Sequence, residues 1–359
     1  MSDHPPDTTI VDIFWRNASR YGPRPALRRK AGEEWEVTTW DAYAERVRHV
    51  AGGLIRLGLA PGDRVGVLST NRLEWHLADL GILAAGGVTV PVYPTNSSSQ
   101  VAYVLGHSGC RFLFVEDLDQ LSKVLLRRDE LPDLQRVFVF DRGEGLDHDF
   151  VGDLDDLDAL SAEELAEHPS VLEDRARAIH ADDLATIVYT SGTTGRPKGA
   201  MLTHGNVAAN IDNITSVVPI GPDDRFLSFL PLSHIAERTV SDFGEVLAGG
   251  ETWFAESLAA VQETCRRAGP PSSSRSPACG RSSAKACARR SSTSTGPSAR
   301  SPSATCTSPP ARGASPAPGP PSRWSRPPST GPSTHWSGAP SAPSWASTRP
   351  ASSCRARRR

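Results

Sequence analysis

Apolar and polar positions alternate in blocks along the first three-quarters of the chain. From Trp40 through Tyr43, Ala44, Val47, Val50, Ala51, Leu54 and Ile55 the spacing is helical, with Thr39 as N-cap and Gly58 as the C-terminal stop. Pro61-Gly62 turns the chain into the short apolar run VGVL. A second helix is predicted over 73–85, ended by Gly86-Gly87, and VTVPVY follows as a buried strand. The unit recurs: a helix over 100–107 precedes RFLFVED, and one over 118–128 precedes RVFVF. After Leu184, LATIVYT, RFLSFL and ETWFA read as strands, with helices over 206–217 and 235–247. Continuous Val-, Phe- and Leu-rich strands alternating with helices imply an α/β fold, a layered parallel sheet with helices packed on its faces. Trp15, Trp40 and Trp75 fall on apolar faces and are expected in the core.

The pattern stops after residue 264. Residues 265–359 contain no Leu, Ile, Val, Phe, Tyr or Met, while Ser (24), Pro (17) and Ala (15) dominate. Such a composition buries too little apolar surface to offset the entropy of ordering, so a disordered, unfolded Ser/Pro/Arg-rich tail is expected. The net charge of -2 conceals the same division. Residues 1–264 hold all 41 acidic side chains against 23 basic ones, and the tail holds 16 basic side chains and no acid. Two parts are therefore read, 1–264 and 265–359.

The genetic code offers an account of the tail. Ser, Pro, Thr, Ala, Cys, Trp, Arg and Gly have codons with C or G in the middle, and they make up 93 of the 95 tail residues, all but Lys285 and His335. In a GC-rich gene the third codon position is nearly always G or C, so reading one base late moves that position to the middle. The tail reads as a frameshift. A basic arm for anionic lipid or nucleic acid is the competing reading, although disordered arms usually draw on the Gln, Asn, Asp and Glu missing here.

Charge and cysteine usage narrow the class. The start, MSDHPPDTT, lacks the basic-then-apolar order of a signal peptide, and no apolar run reaches the ~18 residues of a membrane span. Cys110 is the only cysteine before residue 265, which suits a reducing, cytoplasmic setting, and the five later cysteines lack metal-ligand spacing. The acidic balance of the first part gives no footprint for nucleic acid. Residues 141–177, with DLDDLD and EE, read as a solvated linker or helix face rather than a metal site.

The chemistry is concentrated between Thr190 and Gly199, TSGTTGRPKG, directly after a predicted buried strand. Its glycines let backbone N–H groups converge, its hydroxyls add neutral donors, and Lys198 adds a mobile positive charge. This composition cradles phosphate, where a plain surface loop would use the same residues only for turning. A Walker A loop needs Gly before the Lys and Ser or Thr after it; Pro197 and Gly199 stand there, which argues against an ordinary P-loop NTPase.

The string YTSGTTGRPKG, Tyr189 through Gly199, resembles the signature loop of the AMP-forming adenylating superfamily, the AMP-dependent synthetases and ligases. WDAYAERVRHVAGGLIRLGLAPGDRVGVLSTNRLEW, GGVTVPVYPTNSSSQVAYVLGHSGCRFLFVED and FLSFLPLSHIAER are similar to the long-chain acyl-CoA synthetase branch, over most of residues 10–260. One permitted back-reading of residues 269–283, RPTVFFAVPRVWEKF, resembles what that family carries there. The resemblance implies the N-terminal part of an adenylate-forming fold, with ATP, Mg²⁺ and CoA as cofactor and co-substrates and a fatty acid as partner. It implies that Thr190, Ser191, Gly192, Thr193, Thr194, Gly195 and Lys198 hold phosphates, with Thr193 near Mg²⁺. It further implies that His234 of the PLSH segment borders the acyl and adenylate pocket; the residue-level alternative for His234 is a hydrogen-bonded packing role at a helix start. His204, Gly205 and Asn206 read as a helix start rather than catalytic groups.

In that family a carboxylate is first joined to AMP with loss of pyrophosphate, and the CoA thiol then displaces AMP. Both partners of the first step are negative, so catalysis is largely charge neutralisation and alignment. The family's later elements are absent from residues 265–359: the acidic segment that helps hold Mg²⁺, the Asp that binds ribose, the hinge and the C-terminal Lys. The expectation is a truncated, inactive product as written, with peripheral membrane contact and no transmembrane segment. Adenylation of an aryl or amino acid, and a non-catalytic nucleotide-binding fragment tethered by its basic tail, are the alternatives.

Overall fold

The computed structural model describes residues 7–143, 149–190, 196–218 and 220–269. The chain divides into two units, residues 1–296 and 297–359, and the second lies outside the described residues, as does almost all of the predicted tail. The chain runs from α1 (Ile10–Tyr21) through a hairpin of β1 (Pro25–Ala31) and β2 (Glu34–Thr39) into α2 (Trp40–Arg56). An alternating stretch follows: β3 (Arg64–Leu68), α3 (Leu73–Ala84), β4 (Val88–Val92), α4 (Ser98–Ser108), β5 (Cys110–Val115), α5 (Leu118–Leu125) and β6 (Arg136–Val139). Next come β7 (Val151–Gly152), α6 (Leu154–Glu167), α7 (Val171–Ala178) and a second hairpin, β8 (Leu184–Thr190) with β9 (Lys198–Thr203). The described chain closes with α8 (His204–Val217), β10 (Arg225–Ser228), the short α9 (Ile235–Glu237), α10 (Phe243–Ala248), β11 (Glu251–Phe254) and α11 (Val261–Ala268).

Among the described residues the strands form two sheets, a seven-stranded one ordered β7-β6-β5-β3-β4-β8-β9 and a four-stranded one ordered β10-β11-β1-β2. The larger sheet is parallel except for the β8–β9 hairpin, and the smaller is parallel except for the β1–β2 hairpin. The expected parallel sheet is thus present, with antiparallel hairpins at two edges. β3 and β4 are buried almost end to end, because helices cover both faces of the sheet.

Helix α2 starts where Thr39 accepts a hydrogen bond from the Ala42 N–H, and Gly58, at φ 83°, takes the turn after it. Its interior Gly52-Gly53 looks costly for a helix, and packing supplies the reason. A Cβ on Gly52 would meet Ser161 Oγ at 2.3 Å, and one on Gly53 the Leu157 carbonyl at 2.6 Å, so the pair lets α6 approach closely. The acidic stretch is therefore helical over its middle: α6 buries Leu154, Leu157, Ser161 and Glu164 and leaves Asp155, Glu163 and Glu167 exposed. Trp40 and Trp75 are fully buried, and Trp15 packs half-buried against Phe14, with ring centroids 5.0 Å apart. The segment expected as one helix over 235–247 is broken: α9 gives way to a π-helical turn, Arg238–Asp242, before α10. Helix α11 spans the compositional boundary after residue 264, with Gly269 beyond its end at φ 71°. Among the described residues no helix is long and apolar enough to cross a membrane.

Candidate active site

A cavity of about 800 Å³ opens at the carboxyl ends of β4 and β8, the position where open α/β sheets take ligands. Its walls come from the end of β4, from α4, from the end of β8, from Arg196-Pro197, and from His234-Ile235. The signature loop thus joins two strands of a hairpin, where the sequence suggested a loop running on to a helix. Thr190 at the end of β8 pairs across the hairpin with Lys198 at the start of β9, and both are exposed. Ser191, Gly192, Thr193, Thr194 and Gly195, including the expected Mg²⁺ neighbour Thr193, lie outside the described residues.

The base of the loop is held from α4. Tyr103 Oη donates to the Pro197 carbonyl at 3.0 Å, and Tyr189 Oη lies 2.7 Å from His107 Nδ1. Burial raises the Tyr189 hydroxyl above the usual phenol range, so it stays protonated at neutral pH. Gly199 is required by packing: a Cβ there would sit 2.7 Å from Ile187 Cγ2 and 3.3 Å from the Tyr189 ring.

His234 is exposed on the cavity wall and also caps α9, its Nδ1 accepting from the Ala236 N–H at 3.2 Å. With Nδ1 accepting there, the other ring nitrogen, Nε2, is left to donate. The loop before it is tied to the larger sheet by Ser233 Oγ donating to the Val92 carbonyl at 3.2 Å. Asn71, just after β3, holds it from the other side: Oδ1 accepts from the Leu232 N–H at 2.9 Å, and Nδ2 donates to Ser228 Oγ at 3.1 Å and to the Leu230 carbonyl. At α8 the helix-start reading holds, with Thr203 and Asn206 forming a reciprocal capping box. His204 is buried there, and burial lowers it to about 4.

Beneath the cavity lies a charged cluster that sequence reasoning missed. Arg238, fully buried, donates to both carboxylate oxygens of Asp79 at 2.9 and 2.5 Å and to Thr186 Oγ1 at 2.6 Å. Thr186 Oγ1 in turn donates to the Thr89 carbonyl at 2.8 Å. Arg238 thus links the helix after His234 to α3 and to β8, the strand that leads into the signature loop. Its guanidinium lies 5.4 Å from the Trp75 ring centroid and 4.6 Å from that of Phe243. Beside it, His76 Nδ1 is 3.4 Å from Asp242 and 3.7 Å from Glu245, all three fully buried. Burial pushes Asp242 and Glu245 well above the carboxylate range and lowers His76 to about 3. The signal that could have found the cluster is the pair His76 and Asp79, interrupting a helix that is otherwise apolar after Glu74 in its first turn.

The AMP-binding enzyme family matches residues 14–272, and the chain belongs to it. Among curated relatives, human long-chain-fatty-acid–CoA ligase ACSBG2 is 33% identical over 255 residues, 70% of this chain and 38% of its own length. Long-chain-fatty-acid–CoA ligase FadD15 of Mycobacterium bovis is 38% identical over 209 residues, 58% of this chain and 33% of its own. The crystal structure of a long-chain-fatty-acid–CoA ligase, FadD1, from Archaeoglobus fulgidus superimposes with a TM-score of 0.55 at 22% identity, covering 70% of this chain and 48% of that one. The chain therefore spans between a third and two-fifths of the curated relatives' length, and the structural likeness bears on the fold alone.

Proposed function

We propose that residues 1–264 are the nucleotide- and acid-binding part of an AMP-forming ligase that joins a fatty acid to CoA. The observation that carries this reading is that the base of the signature loop, Thr190 and Arg196-Pro197, lines the cavity of about 800 Å³ that His234 borders, with Lys198 paired to Thr190 across the hairpin. The names of the curated relatives support the long-chain acid as substrate. In this reading Thr190, Ser191, Gly192, Thr193, Thr194, Gly195 and Lys198 bind the phosphates of ATP. The fatty carboxylate attacks the α-phosphorus and pyrophosphate leaves; the CoA sulfur then attacks the acyl carbon and AMP leaves. Lys198 offsets the charge repulsion of the first step, and the Nε2–H of His234 orients an oxygen of the acid or adenylate.

Among the described residues no group of three or more His, Cys, Asp or Glu could hold a metal ion. The Thr193 hydroxyl is a hard oxygen ligand of the kind Mg²⁺ accepts, and Mg²⁺ brought with ATP would neutralise phosphate charge there. A cytoplasmic enzyme touching the membrane surface, where fatty acids partition, belongs to the same reading.

Residues 265–359 are, in this proposal, the out-of-frame product of a longer gene. The composition change after residue 264 and the end of the family match at 272 support it. This stretch holds no Asp or Glu, so it offers no carboxylate to Mg²⁺ or ribose. The chain as written is expected to form no acyl-CoA, whereas the frame-restored gene product converts palmitate, ATP and CoA to palmitoyl-CoA. Re-sequencing the DNA across codons 255–290 and assaying both products tests this. An intact frame in the genome refutes the frameshift, and a restored protein without acid-dependent pyrophosphate release refutes the ligase.

A further inference from the structure

Arg196, within the signature loop, is the first residue described after Thr190, and it lies on the cavity wall. Its guanidinium carbon sits 5.3 Å from the centroid of the Tyr103 ring. The hydroxyl of the same tyrosine donates to the carbonyl of the next residue, Pro197, at 3.0 Å. One side chain therefore fixes both the backbone at the foot of the loop and the cation above it. Tyr103 itself is carried by α4, whose buried Val101, Val104 and Leu105 anchor that helix to the larger sheet.

The charge arrangement gives this cation a purpose. Arg196 is exposed and has no carboxylate partner among the described residues, whereas Arg24, Arg28, Arg48, Arg72 and Arg111 each have one. The carboxylate on the cavity wall, Glu130, is 2.8 Å from Arg127. Stacking on an aromatic ring uses the face of a guanidinium and leaves its N–H edges free, and those edges match two oxygens of a phosphate.

We infer that Arg196 is a second cation for the polyphosphate of the nucleotide, acting with Lys198 and aimed by Tyr103; this rests on the adenylation reading above. Lys198 is a flexible point charge, while Arg196 is planar and held on a platform, so the two divide the work: one follows the charge, the other orients it.

The test uses the full chain and equilibrium binding of ATP, AMP and CoA to the wild type, Arg196→Ala, Arg196→Lys, Tyr103→Leu and Lys198→Ala, with thermal melts as a check on folding. Arg196→Ala is expected to weaken ATP about tenfold and to leave AMP within about twofold, since the contact is with phosphates AMP lacks. Arg196→Lys should recover part of the loss, and Tyr103→Leu should show a smaller loss of the same selectivity. Equal ATP affinity in Arg196→Ala and wild type, with Lys198→Ala weakened, overturns this inference and leaves the ligase reading standing. So does a loss shared equally by ATP and AMP, or one confined to CoA. A wild-type chain that melts cooperatively but binds no ATP overturns both.

Discussion

The rim of the cavity and the cluster beneath it use the same residue types for opposite ends. At the rim, Arg196 and His234 are exposed, as is Lys198 two residues beyond Arg196, and none of the three has a carboxylate partner among the described residues. Some residues deeper, Arg238, Asp79, Asp242, Glu245 and His76 are sealed from water. An exposed charge can be neutralised by whatever ligand arrives. A buried one must find its partner when the chain folds, or be held in its neutral form, because desolvating an unpaired ion costs several kcal/mol. On the reading proposed above, recognition belongs to the rim and geometry to the cluster.

The largest effect that could break this contrast comes from removing Arg238. Arg238→Met leaves the Asp79 carboxylate buried without its bidentate partner, and a loss of about 3–5 kcal/mol is expected in denaturant melts. Combining it with Asp79→Leu should restore most of that loss, since an apolar pair can replace a buried ion pair. A single variant costing less than about 1 kcal/mol would show that the cluster does not hold the fold.

The next largest effect is in pH dependence, and the two signs differ. Asp242 and Glu245 are raised in the fold above ordinary values of 3.8 and 4.5, so their contribution is complete below those values and is lost as pH rises through the folded ones. His76 is lowered from 6.5 to about 3, so its contribution is present above 6.5 and is lost as pH falls through that window. Stability should therefore peak in mildly acidic solution. Asp242→Asn removes one alkaline loss, and the melting temperature of the variant should gain on the wild type steadily from pH 6 to pH 9. Parallel curves would mean that Asp242 ionises in the fold as it does in water.

How much of this was legible in sequence depended on burial. VGVL, VTVPVY, RFLFVED and RVFVF could be read to within a residue or two, because strands covered on both faces are apolar throughout. The β1–β2 hairpin was missed because PALRRKAGEEWEVTT is largely exposed and reads as loop. β9 was missed because KGAMLT is a half-exposed edge strand that begins inside the signature motif itself. The continuous helix expected over 235–247 fails at Arg238–Asp242, where charges that pattern reasoning assigns to water are turned inward in a π turn. At the site, TSGTTGRPKG and PLSH announce themselves locally. Asn71, Tyr103 and Asp79 come from elements more than 90 residues away from the segments they hold, and no periodicity links them.

A third, smaller effect tests the close contact between α2 and α6. Gly→Ala inside a helix normally stabilises by about 1 kcal/mol, but Gly52→Ala places a methyl group 2.3 Å from Ser161 Oγ. The sign should reverse, to a loss of about 1–3 kcal/mol. Gly52→Ala with Ser161→Gly should recover a good part of it. A stabilised single variant would mean that the two helices separate at little cost, and that the acidic segment is the linker its charges suggest.

The smallest effect is the sharpest test of the rim. Lys198 stands exposed at the first position of an edge strand, without an ion pair among the described residues. Its backbone pairing with Thr190 does not depend on the side chain. Lys198→Ala should therefore change the unfolding free energy by no more than about 0.5 kcal/mol while removing the charge proposed above to meet the phosphates. Chemical melts read the first quantity and ATP binding the second. A variant that loses 2 kcal/mol of stability would make Lys198 part of the fold's own charge balance, and the division between a recognising rim and a positioning cluster would fall with it.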